Sequence, residues 1–244
     1  MTSPSPIGVL PAPVDPRRWR ALMVCLVAGF MALLDVTIVN VALPSIQTGL
    51  AAREADLQWV VSGYAPAFGV ILGLAGRFGD ARGRRRVFLV GVAAFTLASV
   101  ASGLAPDAGA LVAARVAQGF AGGVITPQIS GLIQQLFRGA ERGRAFGLFG
   151  ATVGVSTAVG PTLGGLLIHL GGPVHGWRWI FFVNLPIGIM VILLGARLLP
   201  PIGHRCGRGS GWTCSGWQCW RWGCCWRWCP SSSTHSGVAA HGGC

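Results

Sequence analysis

Charged residues are scarce in this sequence, at 11% of 244 residues, whereas a typical soluble domain carries about a quarter. Lysine is absent, so all 19 basic residues are arginines, and only seven residues are acidic. The arginines fall in short loops between long apolar runs, rather than on one polar surface as in a nucleic-acid-binding protein. The scarcity of charge excludes an ordinary soluble domain, and the pattern predicts a membrane protein that binds no nucleic acid.

Arrangements that would indicate an enzyme or a metal site are also missing. No serine–histidine pair and no pair of acids stands at a spacing that suggests catalysis. His169 and His175 flank the outer end of a predicted helix, without a second cluster of ligands nearby. Cys25 is the one cysteine before residue 200. We therefore expect no enzymatic activity, no bound metal and no cofactor.

Six apolar runs are long enough to cross a bilayer, which takes about 20 residues. Because backbone groups in lipid must bond to one another, we expect these runs to be helices. The first run is too long for a secretory signal, and a second span follows it. The sequence predicts an all-α membrane protein whose six transmembrane helices form one bundle over residues 19–200. The predicted spans are residues 20–43, 57–77, 87–104, 110–136, 145–170 and 178–199.

Arginine is distributed unevenly between the two ends of these spans. Arg53 and Arg178 fall at one end, where acidic residues balance them, and most others fall at the opposite end. By the positive-inside rule, the arginine-rich end and both chain termini are cytoplasmic, in the plasma or inner membrane. The first residues, within 1–18, are proline-rich, and we expect a disordered cytoplasmic tail. The arginines of the rich end are Arg17, Arg18, Arg20, Arg77, Arg82, Arg84, Arg85, Arg86, Arg138, Arg142, Arg144 and Arg197.

An acid lies deep in the first predicted helix, in the stretch LLDVTIVNVALPSI (residues 33–46). Asp35 is about 22 Å from the arginine-rich edge at 1.5 Å per residue. A carboxylate at such depth usually faces a cavity or a partner, and it can carry protons. The alternative is a structural aspartate bonded to Thr37 or to a neighbouring helix. We expect Asn40 and Pro44 to shape the end of this helix.

An arginine lies at similar depth in the fourth predicted helix, in the stretch LVAARVAQGFAGGVITP (residues 111–127). Arg115 would meet Asp35 if both helices face one cavity, or it would extend towards the outer headgroups. Gln118 follows three residues later, on the same helix face. Asn40 and Gln118 are candidates for lining a cavity.

Two further stretches combine glycine with charge or proline. In GRFGDARGRRRVF (residues 76–88), one acid and several arginines crowd a turn. This turn is either a topology determinant or a charge latch, in which Asp80 pairs with an arginine or a helix N-terminus. In GVSTAVGPTLGG (residues 154–165), Gly160 and Pro161 predict a bend, and Gly164 and Gly165 allow close helix packing.

Taken together, these four stretches resemble motifs of the major facilitator superfamily, and most closely its fourteen-helix drug:proton antiporter branch. The loop resembles the motif G-x-L-a-D-r-x-G-r-k, with departures at Phe78, Gly79 and Ala81. WRWIFFVNLPIG (residues 177–188) is also similar to the sixth helix of that branch. The resemblance covers about residues 20–200, the N-terminal half of such a protein. Matching residues are Gly76, Asp80, Gly83, Arg84 and Arg85 in the loop, Arg115, Gln118 and Gly119 in the fourth helix, and Gly160, Pro161, Gly164 and Gly165 in the fifth.

The resemblance implies an exporter of drugs or antibiotics against proton entry, in which two halves rock around a central site. Asp35 and Arg115 would serve proton coupling, and the loop residues would latch a cytoplasmic gate. The implied partners are the lipid bilayer, protons and a small amphipathic or cationic substrate. Gly160 and Pro161 would shape the contact between halves. The residues that the resemblance assigns to packing of this helix are Gly154, Gly160, Pro161, Gly164 and Gly165.

Residues 201–244 differ abruptly from the rest, as in WTCSGWQCWRWGCCWRWCP (residues 212–230). Codons for Trp and Cys, read one nucleotide earlier, encode Leu, Val or Met, which would restore an apolar seventh helix. We predict that this segment is an out-of-frame translation and that the chain is a truncated half. A cysteine cluster lacks the Cys-x-x-Cys pairs of common zinc sites, and cytoplasmic thiols stay reduced. An interfacial tail anchored by Trp and Arg is the other alternative.

The sequence is compatible with several functions. Half a bundle lacks the opposing wall of a cavity, so we expect the chain alone to be inactive. The alternatives are a half-transporter that self-associates as a dimer, a non-transporting membrane protein that binds a partner, and a facilitator for another small solute.

Overall fold

The computed structural model describes residues 18–199, and every regular element in that range is an α-helix. The predictions of a disordered N-terminal tail and an out-of-frame C-terminal tail concern residues outside this range, apart from Arg18, which opens the first helix. The helices are α1 (Arg18–Leu50), α2 (Glu54–Ser62), α3 (Tyr64–Arg82), α4 (Arg84–Gly103), α5 (Ala108–Leu136), α6 (Gly139–Phe182) and α7 (Asn184–Leu198).

These helices make six segments that are long and apolar enough to cross a membrane, here called spans 1 to 6. Span 2 runs through α2 and α3, because Gly63 between them keeps right-handed helical dihedrals. Spans 5 and 6 divide α6 at Gly172, whose φ of 80° lies in the left-handed region that favours glycine. The prediction of an all-α protein with six spans is confirmed. The spans are Arg18–Leu50, Glu54–Arg82, Arg84–Gly103, Ala108–Leu136, Gly139–Gly172 and Val174–Leu198.

Span 1 is longer than predicted, because it continues through Pro44 to Leu50. Proline removes one backbone donor, which normally ends or kinks a helix. Here the turn beyond Pro44 is held by tertiary packing, since Ile46 is fully buried in the cluster that contains Trp177. The predicted end of this span at residue 43 is therefore wrong, and Asn40 and Pro44, which we expected to shape that end, lie inside the helix.

Span 1 is the centre of the bundle. Its most apolar stretch is 67% buried, whereas that of span 5 is only 17% buried. Span 1 packs chiefly on α6, which contains span 5 and the start of span 6, while span 4 packs on spans 2 and 3. One apolar cluster includes Leu22, Phe88 and Ile125, and a second includes Ile46 and Trp177. Spans 2 and 5 consequently keep broad faces that no other described residue covers.

The loops that carry most of the arginines meet at one end of the bundle. Arg18 donates two hydrogen bonds to Glu141, at 2.6 and 2.7 Å. Arg85 donates to the carbonyl of Ala196 near the end of span 6. At the opposite end, Arg178 donates to the carbonyl of Gly103 at 2.8 Å. These hydrogen bonds connect the ends of spans that are distant in sequence.

Small residues of span 5 divide between a packed face and an open face. A Cβ atom added at Gly160 would overlap the side chain of Thr37, and one added at Gly164 would press on Ile38. Gly154 and Gly165, in contrast, have no neighbouring atom within 4 Å of that position. The backbone stays helical at Gly160 and Pro161, and its interruption lies at Gly172 instead. Close approach of spans 1 and 5 thus depends on Gly160 and Gly164.

Replacing Gly160 with Ala should destabilise the packing of spans 1 and 5 by about 1–3 kcal/mol, since the new methyl group overpacks against Thr37. Thermal unfolding of the purified chain in detergent, followed by circular dichroism, measures the effect. Gly165→Ala is the matched control, because its methyl group meets open space. Equal melting temperatures for the two variants would contradict this account of the contact.

Candidate functional site

A fully buried carboxylate, Asp35 in span 1, is the centre of a polar network inside the bundle. Its Oδ2 atom accepts a hydrogen bond from Nη1 of Arg115 in span 4. Its Oδ1 atom accepts from Nε2 of Gln118 at 2.8 Å and from Nδ2 of Asn184 at 2.9 Å. Both carboxylate oxygens are therefore bonded to donors from other spans, as a charged group buried in low dielectric requires.

Arg115 is equally enclosed, with 2% of its surface exposed. Its Nη1 also donates to Oε1 of Gln118 at 2.8 Å, and its Nε donates to the carbonyl of Val60 at 3.3 Å. The guanidinium carbon lies 4.8 Å from the ring centroid of Tyr64, a cation–π distance. Arg115 therefore points into the bundle, towards Asp35, rather than towards the membrane headgroups.

Asn184 extends the network to span 3. Its Nδ2 lies 2.9 Å from Oγ of Ser99, and that hydroxyl donates to the carbonyl of Phe181 at 3.0 Å. Asn184 and Ser99 are both buried. The network thus connects spans 1, 2, 3, 4 and 6 through hydrogen bonds and the ring of Tyr64.

Sequence reasoning missed three members of this network. Asn184 could have been found, because it is an amide within the apolar run of span 6 and lies in the stretch WRWIFFVNLPIG. Such intramembrane polar groups usually have a partner. Ser99 and Tyr64 gave no comparable indication, since serine and tyrosine occur in membrane helices without any special role.

The hydrogen bonds around Asp35 depend on the form of its carboxylate. An ionised carboxylate only accepts hydrogen bonds, whereas a protonated one carries a donor on one oxygen. The groups that face Asp35 are all donors: the guanidinium of Arg115 and the amide nitrogens of Gln118 and Asn184. Protonation would therefore oppose a donor to a donor and remove the charge that balances Arg115. In this network the carboxylate of Asp35 serves only as an acceptor.

At the arginine-rich end, Asp80 and Arg84 form an ion pair at 2.7 Å. The side chain of Asp80 is 56% exposed and that of Arg84 only 19% exposed, so Asp80 is the more solvent-exposed partner of the pair. Arg84 Nη1 donates to the carbonyl of Pro127 at 3.4 Å. Its guanidinium also occupies the space where Gly131 would carry a side chain. The absence of a Cβ at Gly131, which sequence reasoning missed, thus makes room for Arg84.

Of the remaining loop residues, Gly83 and Arg85 contribute to the same turn, whereas Gly76 does not pack closely. Gly83 has a φ of 92°, which favours glycine, and it separates spans 2 and 3. Arg85 reaches span 6 through Ala196. A Cβ atom added at Gly76 would have no neighbouring atom within 4 Å. Close packing within the described residues therefore does not require glycine at this position.

The two cavity candidates lie in different environments. Gln118 is buried within the Asp35 network. Asn40 is exposed on span 1, and its amide donates to the carbonyl of Val36 at 3.2 Å. Within residues 18–199, no three His, Cys, Asp or Glu side chains are grouped closely enough to hold a metal ion.

Removing one partner of the buried ion pair should lower the stability of the folded chain far more than removing both partners. Arg115→Met leaves the carboxylate of Asp35 without its balancing charge, and we expect a loss of about 3–5 kcal/mol in stability. The combined variant Asp35→Asn with Arg115→Met should recover most of that loss. Thermal unfolding in detergent measures both variants.

Asp80→Asn is the control, because Asp80 is the exposed partner of its ion pair, and loss of such a contact costs only about 0–1 kcal/mol. If the combined variant is no more stable than Arg115→Met, the two side chains are not coupled as the structure indicates.

Residues 25–211 match the family model described as Major Facilitator Superfamily. The chain is 47% identical over 187 residues to the puromycin resistance protein pur8 of Streptomyces alboniger, covering 76% of this chain and 36% of that protein. It is 40% identical over 202 residues to the tetracenomycin C resistance and export protein of Streptomyces glaucescens, covering 81% and 37%. The chain therefore spans about a third of the length of these curated relatives.

Solved structures share the fold at low identity. A bacterial homologue of the human lysosomal transporter Spinster, in an inward-facing and occupied conformation, aligns with a TM-score of 0.69 and 20% identity, covering 78% of this chain and 46% of that one. The xylose transporter XylE from E. coli, bound to 6-bromo-6-deoxy-D-glucose, aligns with a TM-score of 0.67 and 16% identity, covering 73% and 44%.

Proposed function

Because the chain belongs to the major facilitator superfamily, whose members are membrane transporters and not enzymes, we propose that it forms six spans of a proton-driven drug exporter. The chain is a multi-pass cell-membrane protein. Relatives named for puromycin resistance and for tetracenomycin C export support an antibiotic or another amphipathic or cationic drug as substrate. The drug:proton antiporter branch is part of this proposal.

The observation that carries the proposal is the complete burial of Asp35 among donors from spans 4 and 6. A proton that binds Asp35 cancels the charge that holds Arg115 and turns one acceptor oxygen into a donor. The contacts of Arg115, Gln118 and Asn184 with Asp35 then weaken together. Protonation and the packing of the spans are linked in this way, which is what proton-coupled transport requires.

The buried network and the turn between spans 2 and 3 have separate roles in this mechanism. Asp35 binds and releases the proton, while Asp80 and Arg84 hold the turn between spans 2 and 3 at the gate. We propose that the arginine-rich end, and with it both chain termini, lies in the cytoplasm, following the positive-inside rule. Asn40, exposed on span 1, would line the substrate cavity, and the open face of span 5 around Gly154 and Gly165 would meet an opposing set of helices.

A chimera tests proton coupling in a complete transporter. Residues 1–199 of this chain would replace the matching region of the Streptomyces glaucescens tetracenomycin C export protein. We expect the chimera to lower cellular accumulation of tetracenomycin C, and Asp35→Asn to abolish that effect, because an amide cannot bind and release the proton.

Glu54→Gln is the matched control. Glu54 is an exposed acid at the first residue of span 2, outside the Asp35 network, so this substitution should leave efflux unchanged. Accumulation would be followed before and after collapse of the proton gradient. Export by the Asp35→Asn chimera that still responds to that collapse would rule out Asp35 as the coupling acid.

The chain by itself should not transport. Spans 2 and 5 have 28% and 17% of their most apolar stretches buried, so their wide faces need other helices to form a closed cavity. Cells that produce only this chain should accumulate drug like cells that lack it. Proton-dependent efflux from such cells would favour the alternative of a self-associating half-transporter, and crosslinking in the membrane would then detect the dimer.

A further inference from the structure

A groove of about 620 Å³ is lined by residues of spans 2, 3 and 4, towards the arginine-rich end. This volume falls within the range of about 300–1,000 Å³ that is typical of ligand pockets. None of its lining residues belongs to the Asp35 network. The groove has apolar walls that include Ile71, Phe78, Val87, Val90 and Val124.

Two arginines, Arg82 and Arg86, also line this groove, and both are exposed. Arg82 lies over the ring of Phe78, with 5.3 Å between the guanidinium carbon and the ring centroid. Asp80, the acid of the same turn, pairs with Arg84 instead. In the described part of the chain, neither groove arginine has an acidic partner; the arginines that do are Arg18, Arg53, Arg84 and Arg115.

An apolar groove beside two unbalanced cations restricts what can occupy it. Water gains few hydrogen bonds from such walls, and a cationic drug would be repelled by Arg82 and Arg86. An anionic group alone would satisfy the arginines but leave the walls uncovered. A molecule with an anionic head and a hydrocarbon tail matches both parts, and the bilayer around spans 2 and 3 supplies it.

We propose that this groove is a binding site for one anionic phospholipid. The phosphate and headgroup bind Arg82 and Arg86, and one acyl chain lies against Phe78 and Val90. Basic pockets between transmembrane helices bind anionic headgroups in this manner. The site shares no residue with the proton-coupling network, and it adjoins the turn of Asp80 and Arg84 that we assign to the gate.

Native mass spectrometry of the full chain tests the site directly. The chain would be reconstituted in vesicles of equimolar dioleoyl phosphatidylglycerol and dioleoyl phosphatidylcholine, extracted in detergent and titrated with each lipid. We expect one phosphatidylglycerol to be retained in preference to phosphatidylcholine. Arg82→Gln with Arg86→Gln should weaken phosphatidylglycerol binding about thirtyfold, since each arginine near a membrane surface contributes about fivefold.

The matched control removes two other exposed arginines from the same end, Arg77→Gln with Arg144→Gln, neither of which lines the groove. This control carries the same change in net charge and in topology-determining residues, and it should retain the lipid. Equal losses in the two double variants would overturn the site, because they would show only general attraction to basic residues.

A second variant tests the apolar part of the site. Ala81 is exposed and lines the groove, so Ala81→Trp should fill part of it without a change in charge. We expect loss of phosphatidylglycerol from this variant while Arg82 and Arg86 stay in place. Unchanged binding by Ala81→Trp, or equal retention of phosphatidylcholine by the unaltered chain, would also overturn the proposal.

Discussion

The ion pair of Asp35 and Arg115 is the constraint around which the bundle is arranged. Each charge would be costly alone inside a membrane, so the two must be close and their remaining hydrogen-bonding groups must be satisfied. Gln118 and Asn184 meet the second requirement at Oδ1 of Asp35, and Tyr64 covers the guanidinium. Satisfying one buried pair thereby fixes the relative positions of spans 1, 2, 4 and 6.

Much of this could be predicted from sequence, because lipid leaves few choices for the backbone. Long apolar runs must be helices, and Asp35 and Arg115 stand out in them by charge alone. The end of span 1 could not be predicted, since Ile46 beyond Pro44 is buried in a cluster that includes a residue as distant in sequence as Trp177. Local propensity carries no information about such contacts.

The same limit explains which site residues were found. A charged residue inside an apolar run is conspicuous, whereas Ser99 becomes part of the site only through the position of Asn184 on another span. Gly131 is a further example, because its lack of a side chain matters only where Arg84 lies across it. Sequence indicates the groups that need partners, and three-dimensional packing decides which residues become those partners.

The order of the network along the chain has a consequence for biosynthesis. Asp35 is made 80 residues before Arg115 and 149 residues before Asn184. At a translation rate of about 5–20 residues per second, Arg115 is synthesised about 4–16 s after Asp35. An unpaired aspartate at the centre of a helix costs about 2.5–3.5 kcal/mol on insertion. During that interval the apolar remainder of span 1 alone must keep the carboxylate in the membrane, so the first span has to be hydrophobic enough to insert without its later partners.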